Sequence, residues 1–190
     1  TILGLIAGYV GGAVDVIIRS AADIMLTVPS LLILIVIASS IEGFVQIEVI
    51  ILVVASLAWM WPTRTIRAQV LSLRGRPYVE MAKLNGMNTV QIIIRELIPN
   101  LLPFLAASFV GAVGSAVLAT IGIEALGLGP QDSPSLGMTI YWVNYNAAII
   151  NGWYWWWVPP IVVIAILFTG LFLVAVGLDE IANPRVRSRA

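Results

Sequence analysis

Residues Leu101 to Gly122 read LLPFLAASFVGAVGSAVLATIG and contain no charged side chain. As an α-helix rising about 1.5 Å per residue, this stretch is long enough to cross the roughly 30 Å hydrocarbon core of a bilayer. Trp153 to Leu178 passes the same test. Ile24 to Ile41 is interrupted only by Thr27, Pro29, Ser39 and Ser40, and Val49 to Trp61 forms another apolar run whose start lies nearer Val45. The composition agrees: 60% of the 190 residues are hydrophobic and 11% are charged, against about 25% charged in a soluble domain. The sequence therefore predicts an all-α membrane protein, a polytopic helical bundle. Cysteine and histidine are absent, which removes disulfide scaffolds, zinc ribbons, thiol nucleophiles and Ser/His/Asp triads. Ten basic residues balance ten acidic ones and the pI is near 6.1, so no basic face for nucleic acid is on offer.

Basic side chains stay on the cytoplasmic side during insertion, and their distribution fixes an expected orientation. Arg64, Arg67, Arg74, Arg76, Lys83 and Arg95 lie within residues 63–100, Arg185, Arg187 and Arg189 lie in the tail, and Arg19 precedes the run from Ile24. The segments Glu42 to Glu48 and Ile123 to Gly152 hold acids, Glu42, Glu48, Glu124 and Asp132, and no base; these are expected outside. Four full spans, about 14–41, 45–62, 101–122 and 153–178, then alternate in direction, leaving the C-terminus cytoplasmic. Thr1 to Val10 is apolar but too short to span. It is expected to be the end of a helix cut from its beginning, and the lack of a basic leader or cleavage site argues against a signal peptide.

Small residues at four-residue spacing bring helix backbones close where lipid supplies no hydrophobic drive. Ala107, Gly111, Ser115 and Ala119 form such a stripe, either a packing face or one lining a pathway. Gly4 and Gly8 form a GxxxG, a weak signal alone. Asp15, Arg19 and Asp23 share one helical face and can alternate as ion pairs, near the cytoplasmic end where charges are tolerated. Pro29 should kink its helix.

The 38 residues from Thr63 to Asn100 are too many for a simple turn. Pro77 suits a first helical turn and Gly86 a stop, bracketing a helix through Tyr78, Val79, Glu80, Met81, Ala82 and Lys83. Asn88 or Thr89 can cap a second helix, Val90 to Ile98, stopped by Pro99. Two amphipathic helices at the lipid surface and a docking element for a soluble partner fit this pattern equally.

The run Arg67-Ala68-Gln69-Val70-Leu71-Ser72-Leu73-Arg74, followed by Tyr78-Val79-Glu80-Met81-Ala82, Gly86 and Ile98-Pro99-Asn100, resembles the EAA loop of binding-protein-dependent ABC importer permeases. In particular it is similar to the C-type subunit of dipeptide and oligopeptide permeases. Gly8-Tyr9, Gly11-Gly12, Asp15, Arg19, Asp23, Pro29, Leu126-Gly127-Leu128-Gly129, Pro134-Ser135-Leu136-Gly137 and Asn183-Pro184-Arg185 extend the resemblance across the chain. It implies the type I importer permease fold, similar to that of methionine importers and missing its N-terminal part, in a prokaryotic (inner) membrane. It also implies that Tyr78, Val79, Glu80, Ala82, Gly86 and Pro99 belong to an ATPase-coupling loop, with Glu80, Ala82 and Gly86 building the helix that enters a cleft of the ATPase. The implied partners are ABC ATPase subunits, a second non-identical permease and an extracytoplasmic solute-binding protein. ATP and Mg would be held by the ATPase, with no cofactor on this chain; no P-loop GxxxxGK is present.

This sequence departs from the family at Met81, where a second alanine is usual, at Glu96, at Leu136 in place of a frequent tryptophan, and at Thr120, where the family carries an acid. Peptide import is the implied function, and relatives of this type carry oligosaccharides or nickel. A secondary transporter or channel would call for ionisable groups or broken half-helices at mid-membrane, of which the full spans offer almost none; an intramembrane enzyme would need catalytic groups there. Tyr141, Trp142, Tyr145 and Trp153 to Trp157 crowd the outer end of the last span, as an interfacial belt or as a stacking surface for substrate. Ile123 to Gly152 is expected to pack as an outer cap, partly helical from Met138 to Ile150, and in the family this region faces the solute-binding protein.

Overall fold

The computed structural model describes residues 1–41 and 46–182, and every regular element among them is helical. Ten α-helices follow in order: α1 (Ile2–Val10), α2 (Gly12–Leu26), α3 (Ser30–Ser39), α4 (Ile47–Leu57), α5 (Met60–Leu73), α6 (Pro77–Leu84), α7 (Thr89–Ile92), α8 (Ile98–Ala125), α9 (Leu136–Tyr145) and α10 (Tyr154–Ala182), with a π-helical turn, Ile93–Leu97, between α7 and α8. Three helical stretches are long and apolar enough to cross a membrane: Ile47–Leu73, Thr89–Ala125 and Tyr154–Leu178. The pair α2 and α3 makes a fourth if counted as one broken span. The break falls at Thr27–Pro29, because proline donates no N–H and pushes the residue before it out of helical geometry. Glu42, Val45 and the tail arginines Arg185, Arg187 and Arg189 lie outside the described residues, as does the Asn183-Pro184-Arg185 motif.

The chain forms two compact units. The first comprises residues 1–27, 59–109 and the chain from 175. Here α1 lies against α5 so closely that a Cβ on Gly4 would stand 2.8 Å from the Thr63 carbonyl oxygen, and one on Gly8 2.7 Å from Val70 Cβ. The glycine pair is thus the contact that lets the two backbones meet. Leu5, Ile66, Val70, Val79, Ala82, Ile92, Leu97 and Leu101 make one buried cluster, joining α1, α5, α6, α7, the π turn and α8.

The charges on α2 do not pair along their own helix. Arg67 of α5 donates through both Nε and Nη2 to the two carboxylate oxygens of Asp15, with Nη2···Oδ2 at 2.6 Å. Asp23 faces Arg64 at 3.8 Å, beyond hydrogen-bond distance, with the arginine side chain mostly exposed and the aspartate half-buried. Arg19 is exposed. The reason is geometric: the guanidinium fork matches a carboxylate in a partly desolvated setting, whereas an exposed i,i+4 pair is worth only tenths of a kcal/mol.

The second unit comprises residues 28–58 and 110–174. Gly114 of α8 is buried, its α-carbon face set against the Phe168 ring of α10. Leu34, Ile37, Ala38, Ile41, Val49, Ile50, Val53 and Ile123 line an apolar cleft with no polar group to hold a substrate. Pro99, expected to stop a helix, instead lies inside the continuous stretch Thr89–Ala125. Proline removes one donor from the i→i−4 ladder, and the π turn just before it is where that ladder is already reset.

Candidate coupling element and outer cap

The segment 74–92 is a helical hairpin whose turn is specified residue by residue. Arg76 is extended and Pro77 occupies the first turn of α6, where its missing N–H costs nothing; the Arg76 carbonyl accepts from the Val79 and Glu80 N–H groups. At the far end Gly86 adopts φ +75°. Its N–H reaches the Lys83 carbonyl at 3.0 Å, and the Met87 N–H reaches Ala82 at 3.1 Å, the paired bonds of a Schellman stop. Met87 then tucks against the buried cluster. Asn88 Oδ1 accepts from the Gln91 N–H at 2.9 Å while Gln91 Oε1 accepts from the Asn88 N–H at 3.0 Å, a reciprocal cap on α7.

This arrangement divides α6 into two faces. Val79 and Ala82 are buried, with Tyr78 packed beside them. Glu80, Met81, Lys83 and Leu84 are exposed, Leu84 to 80% and Met81 to 57%. Lys83 Nζ lies 5.5 Å from the centre of the Tyr9 ring, close enough for a cation–π attraction. The Tyr78 hydroxyl is buried without a partner among the described residues, and that burial raises its pKa above the ordinary value. Tyr78, Val79 and Ala82 therefore anchor the helix, Glu80 and Gly86 are presented outward, and Pro99 sits apart on the π-turn–α8 path.

Among the described residues most of the small-residue stripe is left open. Ala107, Gly111 and Ser115 are exposed and Ala119 is half-buried; a Cβ on Gly111 would meet nothing within 4 Å. The packed small residue is Gly114, three positions along and on another face.

At the end of α8, Glu124 is 2% exposed. Its Oε2 accepts from the Ser135 hydroxyl at 2.7 Å, and Ser135 Oγ accepts from the Met138 N–H at 3.1 Å, capping α9. Gly129 and Gly137 make room for it, since a Cβ at either would collide with the Glu124 side chain. The carboxylate thus sits at the positive N-terminal end of α9. Sequence reading placed Glu124 among the outer acids without seeing this role; the signal was Ser135, a cap residue directly before an apolar helix. Tyr141, Trp142 and Tyr145 pack on one another at 5.1–5.9 Å between ring centres, and Trp153 stacks on Trp156. No cluster of acids able to hold a metal occurs among the described residues.

Fold and site together define a polytopic helical membrane protein carrying a helical hairpin anchored by one face. The chain belongs to the family of binding-protein-dependent transport system inner membrane components, whose profile matches residues 1–188. It is similar to the oligopeptide transport system permease protein OppC of Mycobacterium bovis, 31% identical over 139 residues, 73% of this chain and 48% of that protein. It is also similar to OppC of Lactococcus lactis subsp. cremoris, 35% identical over 144 residues, 73% of this chain and 47% of that one. The dipeptide transport system permease protein DppC of Alkalihalophilus pseudofirmus is 30% identical over 190 residues, 99% of this chain and 60% of its own length. The chain thus spans about half of the first two relatives and three-fifths of the third. It is a multi-pass membrane component of a transport system.

Proposed function

We propose that the chain is a permease subunit of an ATP-driven ABC importer, forming half of a pathway for peptides delivered by a solute-binding protein. The observation that carries this reading is the two-faced helix α6. Val79 and Ala82 fix it to the cluster that also holds α1, α5 and α8, so force applied to its outer face is delivered to the bundle rather than dissipated in a loop. The outer face, Glu80, Met81, Lys83 and Leu84, combines two exposed apolar side chains with a charge of each sign, which suits a soluble ATPase surface better than water. ATP and Mg would be bound by that ATPase. The exposed stripe Ala107, Gly111 and Ser115 would meet the second permease or line the pathway between the two subunits. The names of the relatives support peptides as the cargo. The hairpin would face the cytoplasm with the C-terminus, since the basic residues gather there. ATP-driven closure of the partner would push α6 and bias the bundle between two access states.

Affinity purification of the tagged chain from its own membranes tests the assembly: an ATPase and a non-identical permease should copurify, and Leu84→Asp should lose the ATPase while keeping the permease. Recovery of the chain without either partner would overturn the reading.

A further inference from the structure

Two arginines of α5 face two acids of α2, and only one of these pairs is made. Arg67 donates to both carboxylate oxygens of Asp15. Arg64 Nη1 stops 3.8 Å from Asp23 Oδ1, whereas a charge-assisted hydrogen bond closes at about 2.7–2.9 Å. The same Asp23 Oδ1 is buried and has no hydrogen-bond partner among the described residues. A carboxylate oxygen shut off from water without a donor is an unmet demand, and the donor that would meet it stands about 1 Å too far away.

The spacing of the charges sets the two pairs against each other. Partners occur in reversed order on the two helices, Asp15 with Arg67 and Asp23 with Arg64, so α2 and α5 run antiparallel. The acids are eight residues apart, about 12 Å along α2, and the arginines three apart, about 4.5 Å along α5. The acids therefore lie outside the arginines at both ends. A slide of α2 that brings Asp23 onto Arg64 carries Asp15 off Arg67.

The attachment of α2 permits such a slide. Whereas α1 is locked to α5 through Gly4 and Gly8, α2 supplies no residue to the buried cluster around α5 and buries only Ala22. Its upstream joint is Gly11–Gly12, at φ +71° and +60°, a left-handed pair that only glycine adopts freely. Downstream it ends at the Thr27–Pro29 break. Arg19, four residues from each acid and exposed, can shield whichever acid is released.

We propose that α2 is a latch with two charge registers on α5, Asp15–Arg67 in one and Asp23–Arg64 in the other, and that each access state holds one of them. Packed helices commonly shift by about 1–2 Å in such transitions, which is the displacement the open pair requires. The registers follow from α1, α2 and α5; their assignment to access states rests on the chain being a permease driven by an ATPase.

Vanadate, a phosphate analogue that arrests ATP hydrolysis in one access state, tests the latch in the complete complex in proteoliposomes. The reading is the vanadate concentration that halves hydrolysis. Asp15→Asn and Asp23→Asn should move it about tenfold in opposite directions, because each weakens one register and shifts the equilibrium toward the other. Arg67→Lys keeps the charge but loses the fork and should move with Asp15→Asn, while Arg64→Gln should move with Asp23→Asn. These two variants carry the test if an aspartate variant fails to assemble. Shifts in one direction for both pairs, or no shift for either, would overturn the latch, since contacts that merely hold the fold do not oppose each other. A wild-type complex that vanadate does not arrest would instead overturn the importer reading, and with it the assignment of registers to access states.

Discussion

Gly4 and Gly8 are the points at which α1 and α5 come closest, and a side chain at either has nowhere to go. Gly8→Val should destabilise the first unit by about 1–3 kcal/mol, the cost typical of overpacking, seen as a lower midpoint in heat-induced loss of the monodisperse species in detergent. The Asp15–Arg67 pair links α2 to α5 with two charge-assisted hydrogen bonds, and Asp15→Asn should cost about 2–3 kcal/mol because it weakens both and leaves Arg67 half-buried without its counter-charge. The double variant with Arg67→Met should recover part of that loss in the same melt. These contacts were only partly legible. GxxxG announces a close approach without naming the partner, and here the partner lies some sixty residues along the chain. Asp15 and Arg19 satisfy i,i+4 spacing, so sequence offered a local pair; nothing in spacing shows that an arginine 52 residues away presents a better-matched fork in a drier place.

The α6–α7 hairpin was the most legible element because its signals are local: proline at the start, a glycine stop, an asparagine cap. Each acts through the backbone within four residues, so no tertiary knowledge was needed. Asn88→Ala should remove one half of the reciprocal cap and cost about 1 kcal/mol, read as faster amide exchange at Gln91 with α6 unchanged. The continuation through Pro99 was not legible, since proline is normally a stop signal and a π turn leaves no reliable mark in sequence. The π turn carries one residue beyond an α-helical count. Deleting Ile94 should therefore restore an unbroken ladder while keeping α8 in register, with membrane insertion preserved and ATP-driven uptake reduced if this turn acts as the hinge between hairpin and span. Unchanged uptake would show that the turn is only an accommodation to Pro99.

For the whole molecule, composition and charge distribution give the membrane class and an expected topology, because a bilayer imposes length and charge rules on every span. What they left open was which faces are used inside the chain: the stripe from Ala107 to Ala119 is a packing signal by spacing, yet the packing falls on Gly114. In sealed vesicles, a membrane-impermeant maleimide should label Lys83→Cys and Asp132→Cys from opposite sides; labelling of both from one side would contradict the expected orientation. In the proposed mechanism α6 passes work from an ATPase to the bundle through a stop that only a left-handed residue can make. Gly86 has open space around it, so substitution acts through the backbone: asparagine tolerates φ +75°, while a β-branched residue costs about 1–2 kcal/mol there. The decisive measurement is peptide uptake per ATP hydrolysed in proteoliposomes holding the complete complex. Gly86→Val should hydrolyse ATP with uptake lost and Gly86→Asn should keep most of its coupling, whereas an unchanged ratio for Gly86→Val would show that coupling does not run through this stop.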